Sequence, residues 1–177
     1  MKILVCLLLS VLTGVFFYCL VWRKKRVKEI KEDVMDFDFI KQFETGSTEP
    51  ILTVFRNQID GNLEVGYGHV LPNVGWKVGD TITRKKADEL FERDIEKAIA
   101  VYGDSLNWDS FTVNQKRAII SHAYNTGARS GTIIKYANSG KWHELAQWFP
   151  FHYITSNGQV LNGLIKRRNY EASLLLS

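Results

Sequence analysis

Residues 51–70, ILTVFRNQIDGNLEVGYGHV, hold two short runs rich in β-branched and aromatic residues on either side of Asp60-Gly61. Asp-Gly between such runs is a strong β-hairpin signal, because the tight turn needs positive φ at its central positions. With Asp60 and Gly61 as a two-residue loop, Ile59 pairs with Asn62, Gln58 with Leu63, and Asn57 with Glu64. That register makes Asn57 and Glu64 cross-strand neighbours on one face. Gly66, Gly68 and His69 then shape a turn that leads out of the sheet.

On the amino-terminal side of the hairpin, Asp38 is a plausible N-cap for the short helix FIKQFE, with Phe39 and Phe43 on one face and Thr45-Gly46-Ser47 as its stop. Glu44 thus falls at a helix C-terminus. On the other side, Thr83 caps RKKADELFERDIEKAIAVY, in which Ala87, Leu90, Phe91, Ile95, Ala98, Ile99 and Tyr102 recur at three- and four-residue steps. Similar stretches run over 112–124, from Thr132 to a C-capping Gly140, over 142–149 and over 161–176. A short run of strand followed by runs of helix predicts an α+β fold with a small sheet lobe beside a larger helical one.

The amino terminus has a different composition. Residues 3–22, ILVCLLLSVLTGVFFYCLVW, contain no charge and are long enough as a helix to cross a bilayer core of about 30 Å. They are followed by Arg23-Lys24-Lys25-Arg26 rather than by a small-residue cleavage site, which favours an uncleaved anchor over a signal peptide. The expectation is a transmembrane anchor with a basic flank over 1–26, in contact with the lipid bilayer, a helical stalk over 27–37, and one globular domain over 38–177. The protein would be a single-pass membrane protein. The basic flank by itself implies the cytoplasmic side.

The formal charge of +4 suggests nucleic-acid binding until it is located. Six of the 23 basic residues precede Glu29, leaving 17 basic against 19 acidic, a net of −2. A nucleic-acid reader carries its positive charge on the folded domain, so that class is excluded. Both cysteines, Cys6 and Cys19, lie in the apolar run, which removes disulfide and cysteine chemistry from the domain. The four histidines are not at metal-ligand spacings, and His122, beside the apolar stripe of its helix, reads as a packed residue.

Carboxylates remain. Glu44 is the leading candidate acid, because the negative end of the helix dipole disfavours a second negative charge and suits a carboxyl that donates a proton. Glu49 is a rival in the stretch TGSTEP.

The ordered blocks IKQFE, EVGYGH, GDTITRKKADELFERDIEKA, VNQKRAIISHAYNTG and GLIKRRNYEASLL resemble those of the phage-type lysozymes, the muramidases used as endolysins. The strongest pieces are Gly66-x-Gly68-His69, Asn125-Thr126-Gly127 and Gly163-Leu164-x-Lys166-Arg167-Arg168-x-x-Glu171. The resemblance runs from about Phe39 to the carboxyl terminus. It implies a lysozyme-like α+β fold with the two lobes joined by a long helix, and cleavage of the β-1,4 bond between N-acetylmuramic acid and N-acetylglucosamine in peptidoglycan. It implies no cofactor or metal, and a monomeric domain acting on glycan strands. A target in the cell wall would require the wall-facing side of the membrane, whereas the basic flank implies the cytoplasmic one, and the sequence leaves both open.

By the same resemblance Glu44 matches the general acid. An aspartate expected in the first strand falls on Asn57 or Gln58, and a threonine expected on the second strand is Glu64. The candidate catalytic set is therefore Glu44 and Glu64, with Asn57 as a neutral partner of Glu64. His69 and Asn125 are candidate substrate-binding residues. Carboxyl groups about 5–5.5 Å apart would suit a retaining route and about 6.5–9.5 Å an inverting one. The altered hairpin leaves a second class open, a catalytically degenerate lysozyme fold that binds a glycan or a protein while tethered.

Overall fold

The computed structural model describes residues 2–177, with side chains from Tyr18 onward. Helix α1 (Lys2–Val34) leads into a short helix α2 (Asp38–Thr45), and a three-stranded antiparallel sheet follows, β1 (Ile51–Arg56), β2 (Leu63–Gly66) and β3 (His69–Leu71), in the order β1-β2-β3. The long helix α3 (Arg84–Tyr102) leads to α4 (Val113–Thr126), α5 (Gly131–Asn138) and α6 (Trp142–Trp148). A two-stranded hairpin, β4 (Thr155–Ser156) and β5 (Gln159–Val160), precedes the last helix, α7 (Asn162–Leu175).

Local chemistry accounts for most of these boundaries. The side chain of Thr83 accepts from the Lys86 amide at the start of α3. Thr112 and Gln115 form a reciprocal capping box at the start of α4. At α2 the cap residue is Phe37 rather than Asp38, and Asp36 supplies the side chain, accepting from the Asp38 amide at 2.9 Å. Gly46 ends α2 in the left-handed region at φ 76°, a conformation glycine adopts without a Cβ clash.

Helix α3 belongs to both lobes. Leu90 packs with Val54, Leu63, Val65 and Leu71 under the sheet, whereas Phe91, Ile95 and Ile99 join the larger helical core. Helix α4 runs through that core with six consecutive buried residues, Ala118 to Ala123. A helix apolar on nearly every side is an interior helix. Each fully buried isoleucine here, Ile119, Ile120 and Ile133 among them, contributes about 1.5–3 kcal/mol.

The expected membrane anchor is corrected by the structure. Among the described residues no helix is long and apolar enough to cross a membrane, so the single-pass membrane localisation does not stand. The apolar side chains 3–17 lie outside the described residues. In the described part of α1 only Tyr18 to Trp22 precede the basic run, and the helix then packs on the domain. Ile30 (4% exposed) and Val34 (1%) enter the helical core. Lys31 reaches Glu96 at 2.5 Å and Glu92 at 3.1 Å on α3, Arg26 reaches Asp109 at 2.7 Å, and Lys116 of α4 bonds Asp33. Residues 27–34 are thus built into the folded body, their apolar stripe inward and their charges paired at the edges.

The hairpin exists with a different register. Glu64 lies opposite Phe55 and Leu63 opposite Arg56, two residues from the tight pairing that Asp60-Gly61 suggests. The Asn57 side chain accepts from the Ile59 amide at 2.8 Å, the Gly61 amide donates to the Asn57 carbonyl at 2.9 Å, and Asp60 accepts from the Asn62 amide at 3.0 Å. These side-chain turns widen the loop and stop the ladder early.

Candidate active site

Glu44 is the penultimate residue of α2, and that helix is fixed from behind. Ile40 is fully buried, and Phe39 and Phe43 pack on Tyr170 of α7 with ring centroids 5.6 and 5.7 Å apart. The Glu44 carboxylate emerges 18% exposed, with Arg167 Nη1 donating to its Oε1. Arg167 is itself held: Nε donates to Glu171 Oε1 at 3.2 Å, Nη2 donates to the Ser121 carbonyl at 3.1 Å, and Ser121 Oγ donates to Glu171 at 2.5 Å. Burial pushes the fully enclosed Glu171 carboxyl upward, against the pull of Arg168 and Arg167. Arg168 Nε lies 3.1 Å from Glu171 Oε2 without hydrogen-bond alignment, while Arg168 Nη2 donates to Asn125 Oδ1 at 2.7 Å.

The turn between β2 and β3 closes against the other side of Glu44. At Gly68, with φ +79°, an added Cβ would stand 2.9 Å from Glu44 Oε2. Glycine is needed there for the backbone conformation and for the space the carboxylate occupies.

Glu64 projects from β2 and is partly buried. Asn57 Nδ2 donates to its Oε1 at 2.7 Å, so the predicted partnership is present although the two residues are not cross-strand neighbours. Burial raises the Glu64 carboxyl above its ordinary range; the Asn57 bond opposes this, and the charges of Asp60 and Glu44 add to it.

Glu44, Asn57, Glu64 and Gly68 line a cleft of about 1010 Å³ between the lobes, together with Tyr124, Asn125, Arg129, Trp148, His152 and Tyr153. Across it, Asn157 at the β4–β5 turn donates to the Ile59 carbonyl in the β1–β2 loop. A cleft of this size, lined by the carboxylates of Glu44, Glu64 and Asp60, can take several sugar rings and present them to acid–base chemistry.

The other candidates lie elsewhere. His69 turns away from this cleft, its Nδ1 2.5 Å from Asp94 Oδ2 on α3, and Lys97 donates to the same carboxylate at 2.8 Å. Burial opposes the Asp94 anion, yet those two bonds hold its carboxyl below the usual range. Glu49 faces solvent outside the cleft, bonded twice by Arg84, whose hydrogen bond lowers its carboxyl pKa. Gln58 is exposed and outside the cleft.

Three features of the site were not assigned from sequence. Arg167 was not among the candidate site residues, although Arg167-Arg168-x-x-Glu171 places two arginines one helical turn before a carboxylate, the spacing of an internal ion-pair cluster. The β4–β5 hairpin carries an Asn157-Gly158 turn with both residues at positive φ, a signal present in the sequence. The Trp148–His152 pair spans the 3₁₀ turn Phe149–Phe151 that follows α6, with His152 in extended backbone just beyond it.

Comparison with known proteins agrees with this architecture. The chain is 34% identical over 116 residues to the endolysin of Bacillus phage B103, an alignment covering 64% of this chain and 43% of that protein, so it spans less than half the length of that relative. The muramidase domain of SpmX from Asticaccaulis excentricus superposes with a TM-score of 0.61 at 29% identity, covering 78% of this chain and 92% of that one. The endolysin of Escherichia coli O157:H7 phage FAHEc1 gives 0.62 at 29% identity, covering 78% and 88%. The sequence pattern of the phage lysozyme family matches residues 41–171, from the middle of α2 to Glu171, and the chain belongs to that family.

Proposed function

We propose that this chain is a peptidoglycan muramidase, a glycoside hydrolase that cleaves the β-1,4 bond between N-acetylmuramic acid and N-acetylglucosamine in the degradation of a cell wall during host lysis. The observation that carries the reading is the placement of Glu44 and Glu64 in one cleft, in unlike surroundings. Family membership and the muramidase and endolysin relatives support the reaction class.

In this mechanism Glu44 protonates the glycosidic oxygen as the bond to the anomeric carbon breaks. Arg167 and the β2–β3 turn hold the carboxyl group in place. Glu64 supplies negative charge to the oxocarbenium-like transition state, by attacking the sugar directly or by orienting water, with Asn57 fixing one of its oxygens. Asn125 lines the same cleft, and since its Oδ1 accepts from Arg168, its side-chain amide nitrogen is left to donate to the sugar's acetamido groups.

The test is release of reducing ends from purified cell walls by the full-length protein, with Glu44→Gln and Glu64→Gln beside wild type. Loss of product in both variants is expected, and the anomeric configuration of the first product reports whether Glu64 attacks directly. Wild-type activity in Glu64→Gln would remove Glu64 from the mechanism. Glycan binding without release by wild type would make the domain a binding module.

A further inference from the structure

The lining of the cleft carries an aromatic feature that the acid–base chemistry does not use. Trp148, the last residue of α6, and His152 lie nearly parallel, with ring centroids 4.0 Å apart and planes at 17°. His152 Nδ1 is 2.7 Å from the Trp148 carbonyl, and since a carbonyl only accepts, this nitrogen carries a proton and locks the ring over the indole. Tyr153 follows at φ +55°, left-handed backbone that an L side chain rarely adopts and that persists only where surrounding contacts impose it. Here the imposing contact is an edge-to-face packing on buried His122, centroids 4.8 Å apart at 90°.

All three rings line the cleft, and His152 and Tyr153 remain exposed, Tyr153 by 39%. A flat, partly exposed aromatic plate in the cleft that holds the carboxylates matches a pyranose ring, which has an apolar face of C–H groups and a polar rim of hydroxyl and acetamido groups. The aromatic face removes the apolar side from water, while Asn125 and Arg129 of the same cleft offer polar groups to the rim.

We propose that the Trp148–His152 stack, flanked by Tyr153, is a saccharide subsite that holds one ring of the glycan strand beside the scissile bond. This rests on reading the cleft as a muramidase site. The stack positions the strand and takes no part in bond breaking, so its loss falls on substrate affinity.

Two measurements on the full-length protein separate this inference from the functional reading. Trp148 is one of five tryptophans and the only one lining the cleft. Titrating Glu44→Gln with a soluble tetrasaccharide of alternating N-acetylglucosamine and N-acetylmuramic acid should give a saturable change in tryptophan emission, absent when Trp148→Phe is added. In the active enzyme Trp148→Ala should raise KM roughly tenfold, equivalent to about 1.4 kcal/mol of binding, with the loss in KM rather than kcat, and Trp148→Phe should recover most of it. His152→Ala, at an exposed position where folding is not at risk, should raise KM severalfold. Unchanged KM in both alanine variants, or an emission change that survives Trp148→Phe, overturns the subsite while leaving the muramidase intact. A wild-type protein that binds the tetrasaccharide through Trp148 but releases no product overturns the reaction and keeps the subsite.

Discussion

Substituting Gly68 by alanine tests how closely the sheet lobe is fitted to the candidate acid. Two costs can be separated. The backbone sits at φ +79°, and placing an L residue in the left-handed region costs roughly 1–2 kcal/mol. For a chain of this size that lowers the melting temperature by about 2–8 °C. The second cost is local: the new Cβ would meet Glu44 Oε2 at 2.9 Å, so the carboxylate has to retreat by roughly half an ångström to reach ordinary contact. It cannot swing freely, because Arg167 holds its other oxygen and is only 3% exposed. Since a displacement of about 1 Å in a reacting group can cost on the order of a hundredfold in rate, roughly tenfold is expected here. Gly140→Ala is the control, at φ +66° with nothing within 4 Å of the added carbon. Both variants should melt lower by similar amounts. When cell-wall hydrolysis is assayed well below either transition, Gly68→Ala alone should be slow. Equal activity in the two variants would refute the claim that the β2–β3 turn positions Glu44.

Three further outcomes follow from the same contacts. Because burial raises the Glu64 carboxyl above its ordinary range, the folded state binds that proton more tightly than the unfolded chain, and the associated stability is present at low pH and lost as pH rises through the raised value. Glu64→Gln should therefore gain in melting temperature relative to wild type as pH increases from below about 4.5, and Asn57→Ala, which removes the bond that opposes the shift, should move the acid limb of the activity profile to higher pH. Arg167→Met leaves the carboxylate of Glu171 enclosed without one of its cations and should cost about 3–5 kcal/mol in urea denaturation; a loss under about 1 kcal/mol would show that the cluster relaxes. Ile30→Ala should cost about 2–5 kcal/mol if α1 is part of the core, whereas a free tether predicts no change in melting temperature.

The sequence was informative where local chemistry decides the outcome. Thr83 and Thr112 cap their helices because a hydroxyl beside an apolar-periodic run satisfies the first free amides whatever lies elsewhere in the chain. Glu44 could be placed at a helix end for the same reason, since Gly46 terminates α2. Features set by distant partners were not accessible. Arg167 acts on a residue 123 positions away, and nothing near it in sequence reveals that partner. The inward face of α1 is legible as Val27, Ile30 and Val34, but its burial depends on α3 and α4, whose Glu92, Glu96 and Lys116 complete the contact. The apolar run preceding it drew the whole segment toward a membrane reading. The hairpin register failed for a third reason: Asp60-Gly61 is a tight-turn signal, yet Asn57 and Asp60 use their side chains to cap a wider loop.

The departures from the family's hairpin form one coupled change in physical terms. The resemblance expects a carboxylate on the first strand and a hydroxyl on the second. Here the carboxylate is on the second strand, as Glu64, and position 57 carries a neutral amide that donates to it at 2.7 Å. An aspartate at 57 could not make that bond in its charged form. It would set a second negative charge against a carboxyl already raised by burial and by Asp60 and Glu44, and one of the two would have to take up a proton. A threonine at 64 with asparagine at 57 would leave the cleft with Glu44 as its only catalytic carboxylate. Of the four combinations, only Asp with Thr and Asn with Glu place a single carboxylate across positions 57 and 64, so a change that preserves charge there needs both positions. In the proposed mechanism Asn57 therefore acts through Glu64, although it has no acid–base chemistry of its own.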